Sequence, residues 1–324
     1  MALGSNFKSF CNSILLDNRD DMESTAGEIA KKLNKHYYDI DSDSSSHMYI
    51  VGSVGRETAI KGSSDLDILF DLPQDVYSKY NGYSSNGQSA LLQDVKTVVQ
   101  ERYPKTDISG DGQVVVIAFD KYTVELVPGF HNSDGSFKYP DTHDGGSWKT
   151  TNPILEQEEC QTCSGASGGA FFDFCQIIRS WKNNIGLSMS GLLIDTLVYD
   201  HFKNNSNYKE KDYTDYLSIL TNIFKCLKDQ DKDRSFWYAV GSNQKVYNSD
   251  NGAFVKKAKA AYDRLNGTTN YTQGINDTLI DLLGIDFPAA ESKSETAAYD
   301  RYAFKRGASK EQFIEELFPV DIRY

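Results

Sequence analysis

The sequence predicts an α+β fold, with a front half of mixed strands and helices and a helical back half. Three observations predict it. Up to Pro128, apolar residues alternate in short runs separated by turn residues. From Gly169 onward they recur at helical spacing. Between the two lies a stretch rich in Gly, Ser, Asp and Pro. With 39% hydrophobic and 25% charged residues over 324 positions, the chain has enough apolar material for a packed core and no disordered profile.

The elements follow in order. Residues 7–35 place Phe7, Phe10, Ile14, Leu15, Ile29 and Leu33 near a 3.6-residue period, which predicts a helix. Residues 42–46 are a polar break. Residues 48–51 form a short strand, and residues 65–71 form a second, in which Leu66, Ile68 and Phe70 alternate. Residues 80–88, rich in Gly, Ser and Asn, read as a loop. Residues 89–103 carry Leu91, Leu92, Val95, Val98 and Val99 on one stripe, and Pro104 ends that helix. Residues 113–119 and 122–127 read as an antiparallel strand pair joined at Asp120-Lys121. Residues 130–169 look like loop. Helices follow over 170–185, 190–204, 212–228, 252–266 and 274–284, with a shorter one at 310–317.

Composition narrows the function. Thirty-four Lys and Arg against 46 Asp and Glu give a formal charge of −12, the wrong sign for a sequence-independent grip on nucleic acid. A local basic pocket for a small phosphorylated ligand is still compatible with it. No apolar run approaches the roughly 18–20 residues of a membrane span, and the first residues lack the pattern of a secretory leader, so a soluble cytoplasmic protein is expected. Five scattered cysteines do not form a disulfide framework. Cys160-x-x-Cys163, with Cys175 and His143 nearby, is short of a zinc set, and reduced thiols are the favoured reading.

One segment carries chemistry. Gly52-Ser53 follows a strand, and Asp65-x-Asp67 opens the next, twelve residues after Ser53. Residues i and i+2 of a strand share a face, so Asp65 and Asp67 project together while Leu66, Ile68 and Phe70 enter the core. Two such carboxylates repel unless a cation stands between them, and hard oxygen ligands suit Mg²⁺. Glu125, between Val124 and Leu126, is the candidate third carboxylate; a solvent-facing edge strand is the competing reading of it. Gly52 lets the backbone approach a phosphate closely, with the Ser53 hydroxyl and backbone N–H groups as donors. Arg56 and Lys61 flank this region and are expected to offset the charge of a triphosphate, whereas Lys256, Lys257 and Lys259 read as a solvated helix face.

Together these residues resemble the signature of the polymerase-β-like nucleotidyltransferases. The run from Gly52 through Arg56, Thr58 and Lys61 to Asp67 is similar to the cGAS/DncV-like branch, the bacterial CD-NTases, which are oligonucleotide cyclases of anti-phage (CBASS) systems. The resemblance extends over residues 5–265. It takes in residues 124–130, the 139–153 segment, Arg179-Ser180-Trp181-Lys182-Asn183, and Ser190 to Asp195. It implies a nucleotidyltransferase core over residues 1–165, a helical lobe over 166–324, and an active site in the cleft between them.

By resemblance, Asp65, Asp67 and Glu125 are the catalytic metal ligands, for Mg²⁺ with Mn²⁺ as a substitute. Gly52, Ser53 and Lys182 bind the triphosphate, with Ser190 as a further contact, and Tyr139 and Trp148 (with Phe130) contact bases. The sequence departs from the family at Glu125, where Asp is the commoner residue, and at Gly191, which stands where a Ser often precedes the acidic residue by four. The implied substrates are nucleoside triphosphates, ATP and GTP foremost, and the implied product is a cyclic dinucleotide or oligonucleotide read by a separate effector protein. No DNA activator and no membrane are expected, in a bacterial cytoplasm. Two alternatives share the carboxylates: an RNA-directed enzyme that adds nucleotides to a 3′ end, against which the acidic charge stands, and a catalytically silent nucleotide-binding module.

Overall fold

The computed structural model describes residues 3–41, 45–62, 65–204 and 208–289. The chain opens with α1 (Leu3–Ser13) and α2 (Arg19–Tyr38), then β1 (Met48–Ile50), the single turn α3 (Gly52–Gly55) and β2 (Asp65–Asp71). Next come α4 (Gln74–Asn81), α5 (Gly87–Arg102), β3 (Asp107–Asp111), β4 (Val114–Ala118), β5 (Thr123–His131), β6 (Phe137–Asp141) and β7 (Ser147–Thr151). The helices α6 (Pro153–Ala166), α7 (Ala170–Asn184), α8 (Gly191–Lys203) and α9 (Tyr216–Lys228) follow. A hairpin of β8 (Phe236–Tyr238) and β9 (Lys245–Tyr247) precedes α10 (Ala253–Leu265) and α11 (Ile275–Leu283).

Seven strands form one mixed sheet in the order β1-β2-β5-β4-β3, with β6 added to β5 and β7 to β6. The central pair, β2 and β5, is parallel. The neighbouring pairs are antiparallel. One face of the sheet packs on α2 and α5 through Leu66, Ile68, Phe70, Val124 and Leu126, with Ile29, Leu33, Leu91, Val95 and Val99 from the helices. The opposite face is open apart from a small apolar patch of Val51, Leu69 and Phe137.

A second core joins α6–α11 around Phe171, Phe174, Trp181, Phe224 and Phe254, and α1 belongs to it. Phe7 and Phe10 meet Phe287 edge-on or tilted, at 5.2 and 5.3 Å between ring centroids. Burial of this kind contributes about 25 cal/mol per Å² of apolar surface and is the main force holding each lobe together.

Several sequence expectations need correction. The single helix over 7–35 is two, because residues 14–15 leave the helix to pair with the segment after α3. Leu15 bridges Ile60, and the Lys61 N–H donates to the Ile14 carbonyl at 2.9 Å. The loop over 80–88 shrinks to residues 82–86, since α4 extends past Tyr80. Residues 130–169 are not loop but β6, β7 and α6. Their turn residues punctuate short strands, and Pro153 sits at the start of α6, where Asn152 Oδ1 accepts the Leu155 N–H at 3.3 Å. The antiparallel pair on either side of Asp120-Lys121 forms as expected. The helix expected at 310–317 and part of the 42–46 break lie outside the described residues.

Candidate active site

The parallel pairing of β2 with β5 sets Asp67 directly beside Glu125, and Asp65 beside Thr123. Strand alternation then puts Asp65, Asp67 and Glu125 on the open face, while Leu66, Ile68, Val124 and Leu126 are fully buried behind them. The row continues across the sheet through Val116 to Ser109. Burial pushes the Asp67 carboxyl up; Arg56 pulls it down and Asp65 pushes it further up. Burial likewise raises Glu125, followed by Asp67, Asp65 and Asp111. The carboxylates therefore feel one another across two strands, an arrangement that a divalent cation would relieve.

All the donors on this face are hard oxygens, which fits Mg²⁺ or Mn²⁺. Among the described residues, no three His, Cys, Asp or Glu side chains converge closely enough to hold a metal ion by themselves.

The turn before β2 is shaped by the same carboxylate. Gly52 has φ +62°, and a Cβ there would run into the Asp67 side chain. The Val51 N–H donates to the Asp67 carbonyl at 2.9 Å, which ties the start of the turn to β2. The Ser53 carbonyl accepts from the N–H groups of Thr58 and Ala59, at 2.9 and 3.1 Å. Gly55 lies against the Ile50 carbonyl, with no space for a side chain.

Behind the turn is a buried ionic network. Arg56, 6% exposed, donates from Nε to Asp195 at 3.0 Å and from Nη1 to Glu156 at 3.0 Å. Arg179 donates to both Asp195 oxygens, from Nη2 at 2.8 Å and from Nη1 to Oδ1. Thr58 Oγ1 donates to Asp195 at 3.0 Å, and Ser242 Oγ donates to Glu156 at 2.8 Å. Burial pushes the Asp195 carboxyl up, but the Arg179 and Arg56 guanidinium groups outweigh it and hold it below its ordinary range. Glu156 moves the other way, because its burial outweighs the pull of Arg56.

The hydrogen bonds of Arg56 thus go to buried carboxylates, while its charge is still felt by Asp67. Lys61 is also committed, to Asp286 at 2.9 Å. The sequence reading assigned no role to Asp195, Glu156 or Thr58. The available signal was an acidic residue amid Leu193, Ile194, Leu197 and Val198, where an unpaired charge is prohibitive.

The remaining expected residues separate. Lys182 on α7 is half-buried, with Arg179 as its charged neighbour; burial first and that repulsion second lower its pKa. Ser190 caps α8, its Oγ accepting the Leu193 N–H at 3.2 Å. Tyr139 on β6 shares the face of Phe137, which meets Leu69 and so belongs to the carboxylate side. Trp148 pairs with Pro140 and turns to the other side, edge-on to Tyr77 and Phe130, with its N–H donating to Asn81 at 3.1 Å. Trp148 and Phe130 are therefore not brought together with the carboxylates. Cys160 and Cys163 are buried thiols on α6; burial raises both, Cys163 to about 11. Lys256, Lys257 and Lys259 are exposed.

Residues 1–163 match the family described as the Second Messenger Oligonucleotide or Dinucleotide Synthetase (SMODS) domain. The chain belongs to this family. A protein of Bacillus cereus (strain VD146) named a probable cyclic nucleotide synthase is 22% identical over 181 residues, which are 47% of this chain and 55% of that one. The chain thus spans about half the length of that curated relative. Solved structures share the fold over most of the chain. Escherichia coli MS115-1 CdnC with ATP matches with TM-score 0.66 at 15% identity, over 88% of this chain and 98% of that one. The Elizabethkingia meningoseptica CdnE cyclic dinucleotide synthase with GTP and Apcpp matches with TM-score 0.59 at 12% identity, over 82% and 99%. A mutant of the Vibrio cholerae di-nucleotide cyclase (DncV) matches with TM-score 0.61 at 9% identity, over 89% and 86%. The helical lobe is part of that shared fold. Among the described residues, no helix is long and apolar enough to cross a membrane.

Proposed function

We propose that this SMODS-family protein condenses nucleoside triphosphates into a cyclic dinucleotide or oligonucleotide messenger for anti-phage signalling, releasing pyrophosphate. The observation that carries the reading is the register of Asp67 beside Glu125, with Asp65 on the same face and the Gly52-Ser53 turn against Asp67. ATP and GTP are the favoured substrates. A separate effector protein reads the product, in a bacterial cytoplasm and without a DNA activator.

In this reading Asp65, Asp67 and Glu125 would hold the divalent metal, Mg²⁺ or Mn²⁺ in its place. Bound there, such a metal would supply electrostatic stabilisation of a phosphoryl transfer. Ser53 and the backbone of the turn receive the triphosphate. Lys182 contributes a positive charge from the helical lobe, in a half-buried place where charge is screened little. Tyr139 offers an aromatic face on the same side of the sheet as the carboxylates. A ribose hydroxyl of one nucleotide attacks the α-phosphorus of the other. The new P–O bond replaces the bond to pyrophosphate, and the hydroxyl proton leaves to water. A second such step closes the ring. Most of the protein's contribution is positioning.

The acidic sheet face favours this reading over an RNA-extending one. Asp107 and Asp111 on the exposed edge strand β3 extend the negative surface, and a polyanion gains nothing there. The test is incubation with Mg²⁺ or Mn²⁺ and the four nucleoside triphosphates, followed by phosphatase treatment and mass spectrometry. A phosphatase-resistant cyclic product supports the proposal. Extension of an added RNA, or no product under any condition, refutes it.

A further inference from the structure

The segment from Ile50 to Thr58 is gripped from behind by three helices of the second lobe. From α6, Gln157 Nε2 donates to the Ile50 carbonyl at 2.8 Å, and Glu156 accepts from Arg56. From α7, Gln176 Nε2 donates to the Glu57 carbonyl at 3.2 Å. From α8, Asp195 accepts from both Arg56 and Thr58. Asp195 is 0% exposed and so does not touch a ligand in the cleft.

The turn needs such support. Gly52 at φ +62° and Glu57 at φ +60° are both left-handed, and Glu57 has a Cβ that disfavours this conformation. A strained turn persists only where its surroundings over-determine it. Besides the turn's own bonds to the Ser53 carbonyl, anchors from the second lobe reach two backbone carbonyls, of Ile50 and Glu57, and two side chains, Arg56 and Thr58.

We propose that Asp195 is a positioning residue for the phosphate-binding turn: through Thr58 and Arg56 it fixes residues 52–58, so that the helical lobe sets where Ser53 meets a nucleoside triphosphate. This rests on the synthase reading above. It assigns the buried network a role in substrate placement beyond holding the lobes together.

Thr58→Val tests it on the full chain, because it removes one hydroxyl and keeps both shape and network charge. Thr58→Ser restores the hydroxyl. Affinity for a non-hydrolysable ATP analogue with Mg²⁺ is measured by calorimetry, beside KM, kcat and the unfolding midpoint. A displaced turn weakens analogue binding and raises KM by about tenfold or more in Thr58→Val, with a smaller change in kcat. Thr58→Ser stays near the parent, and all three unfold within a few degrees of one another. Unchanged affinity and KM in Thr58→Val overturn the proposal, as does a loss no larger than the fall in folded fraction. A parent that binds the analogue but makes no product removes the synthase reading and leaves the affinity test standing. A parent that does not bind overturns both.

Discussion

The Asp67 carboxylate occupies the space a side chain at Gly52 would need. Turn and carboxylate are thus one unit, and a change at either is felt at both. Gly52→Ala combines that collision with a left-handed backbone. Its expected cost is about 1–3 kcal/mol of stability, with loss of product. Urea unfolding beside the mass-spectrometric product assay checks it; a fully active Gly52→Ala contradicts the shared-space relationship.

Asp65→Asn with Asp67→Asn should lower product formation by roughly 10²-fold or more, comparable to deleting a major electrostatic stabiliser. The same variant should unfold no more readily than the parent, because the raised Asp67 pKa reports charge held at a penalty. Retained activity sinks the ligand assignment. A large drop in the unfolding midpoint sinks the electrostatic argument.

Mg²⁺ should raise the unfolding midpoint of the parent and leave that double variant unmoved. At a hundredfold excess over Kd, one bound ion stabilises by about 2.7 kcal/mol. Thermal scans across a Mg²⁺ series measure this, and equal shifts in both proteins place the ion elsewhere.

Asp195→Asn leaves Arg56 with Glu156 as its remaining carboxylate and Arg179 with only the Cys175 and Gly191 carbonyls. Removing one partner from a buried ion pair costs about 3–5 kcal/mol. Lys256→Gln on the exposed face of α10 should stay within about 0.5 kcal/mol. Denaturant midpoints of the two variants decide; equal effects would mean that the network contributes no net stability.

His201 is buried, with Nδ1 at 3.1 Å from Cys226 Sγ and Nε2 at 2.6 Å from the Tyr208 hydroxyl. Burial pushes its pKa down from 6.5 to about 4. The unfolded chain therefore binds the proton first on acidification. The stability held by the neutral ring is full above pH 6.5 and is lost as pH falls towards 4, at up to roughly 1.4 kcal/mol per pH unit. His201→Gln should flatten that slope in unfolding midpoints taken between pH 7 and pH 4.5. An unchanged slope assigns the acid sensitivity to other groups.

The chemistry was legible where it is local. Asp65 and Asp67 share a face by strand alternation alone, and Gly52-Ser53 announces a close approach. The parallel register that brings Glu125 to Asp67 is a tertiary fact, although the apolar neighbours of Glu125 hinted that it faced something particular. Residues 130–169 misled because Gly, Asp and Pro mark strand ends as readily as loops. Asp195 and Arg56 are 139 positions apart, and no local pattern pairs them. The face of Trp148 depends on which residue it opposes, and a one-residue shift in register reverses it.

The membership of α1 in the far lobe bears on how the chain is made. Phe7 packs on Phe287 and Tyr216, which a ribosome adding about 5–20 residues per second supplies only after tens of seconds. The sheet from β1 to β7 has its partners at hand much earlier. Translation therefore yields a sheet domain trailing an amphipathic helix whose apolar face stays exposed until the last helices arrive. That interval is when the nascent chain is most open to chaperone capture and to aggregation.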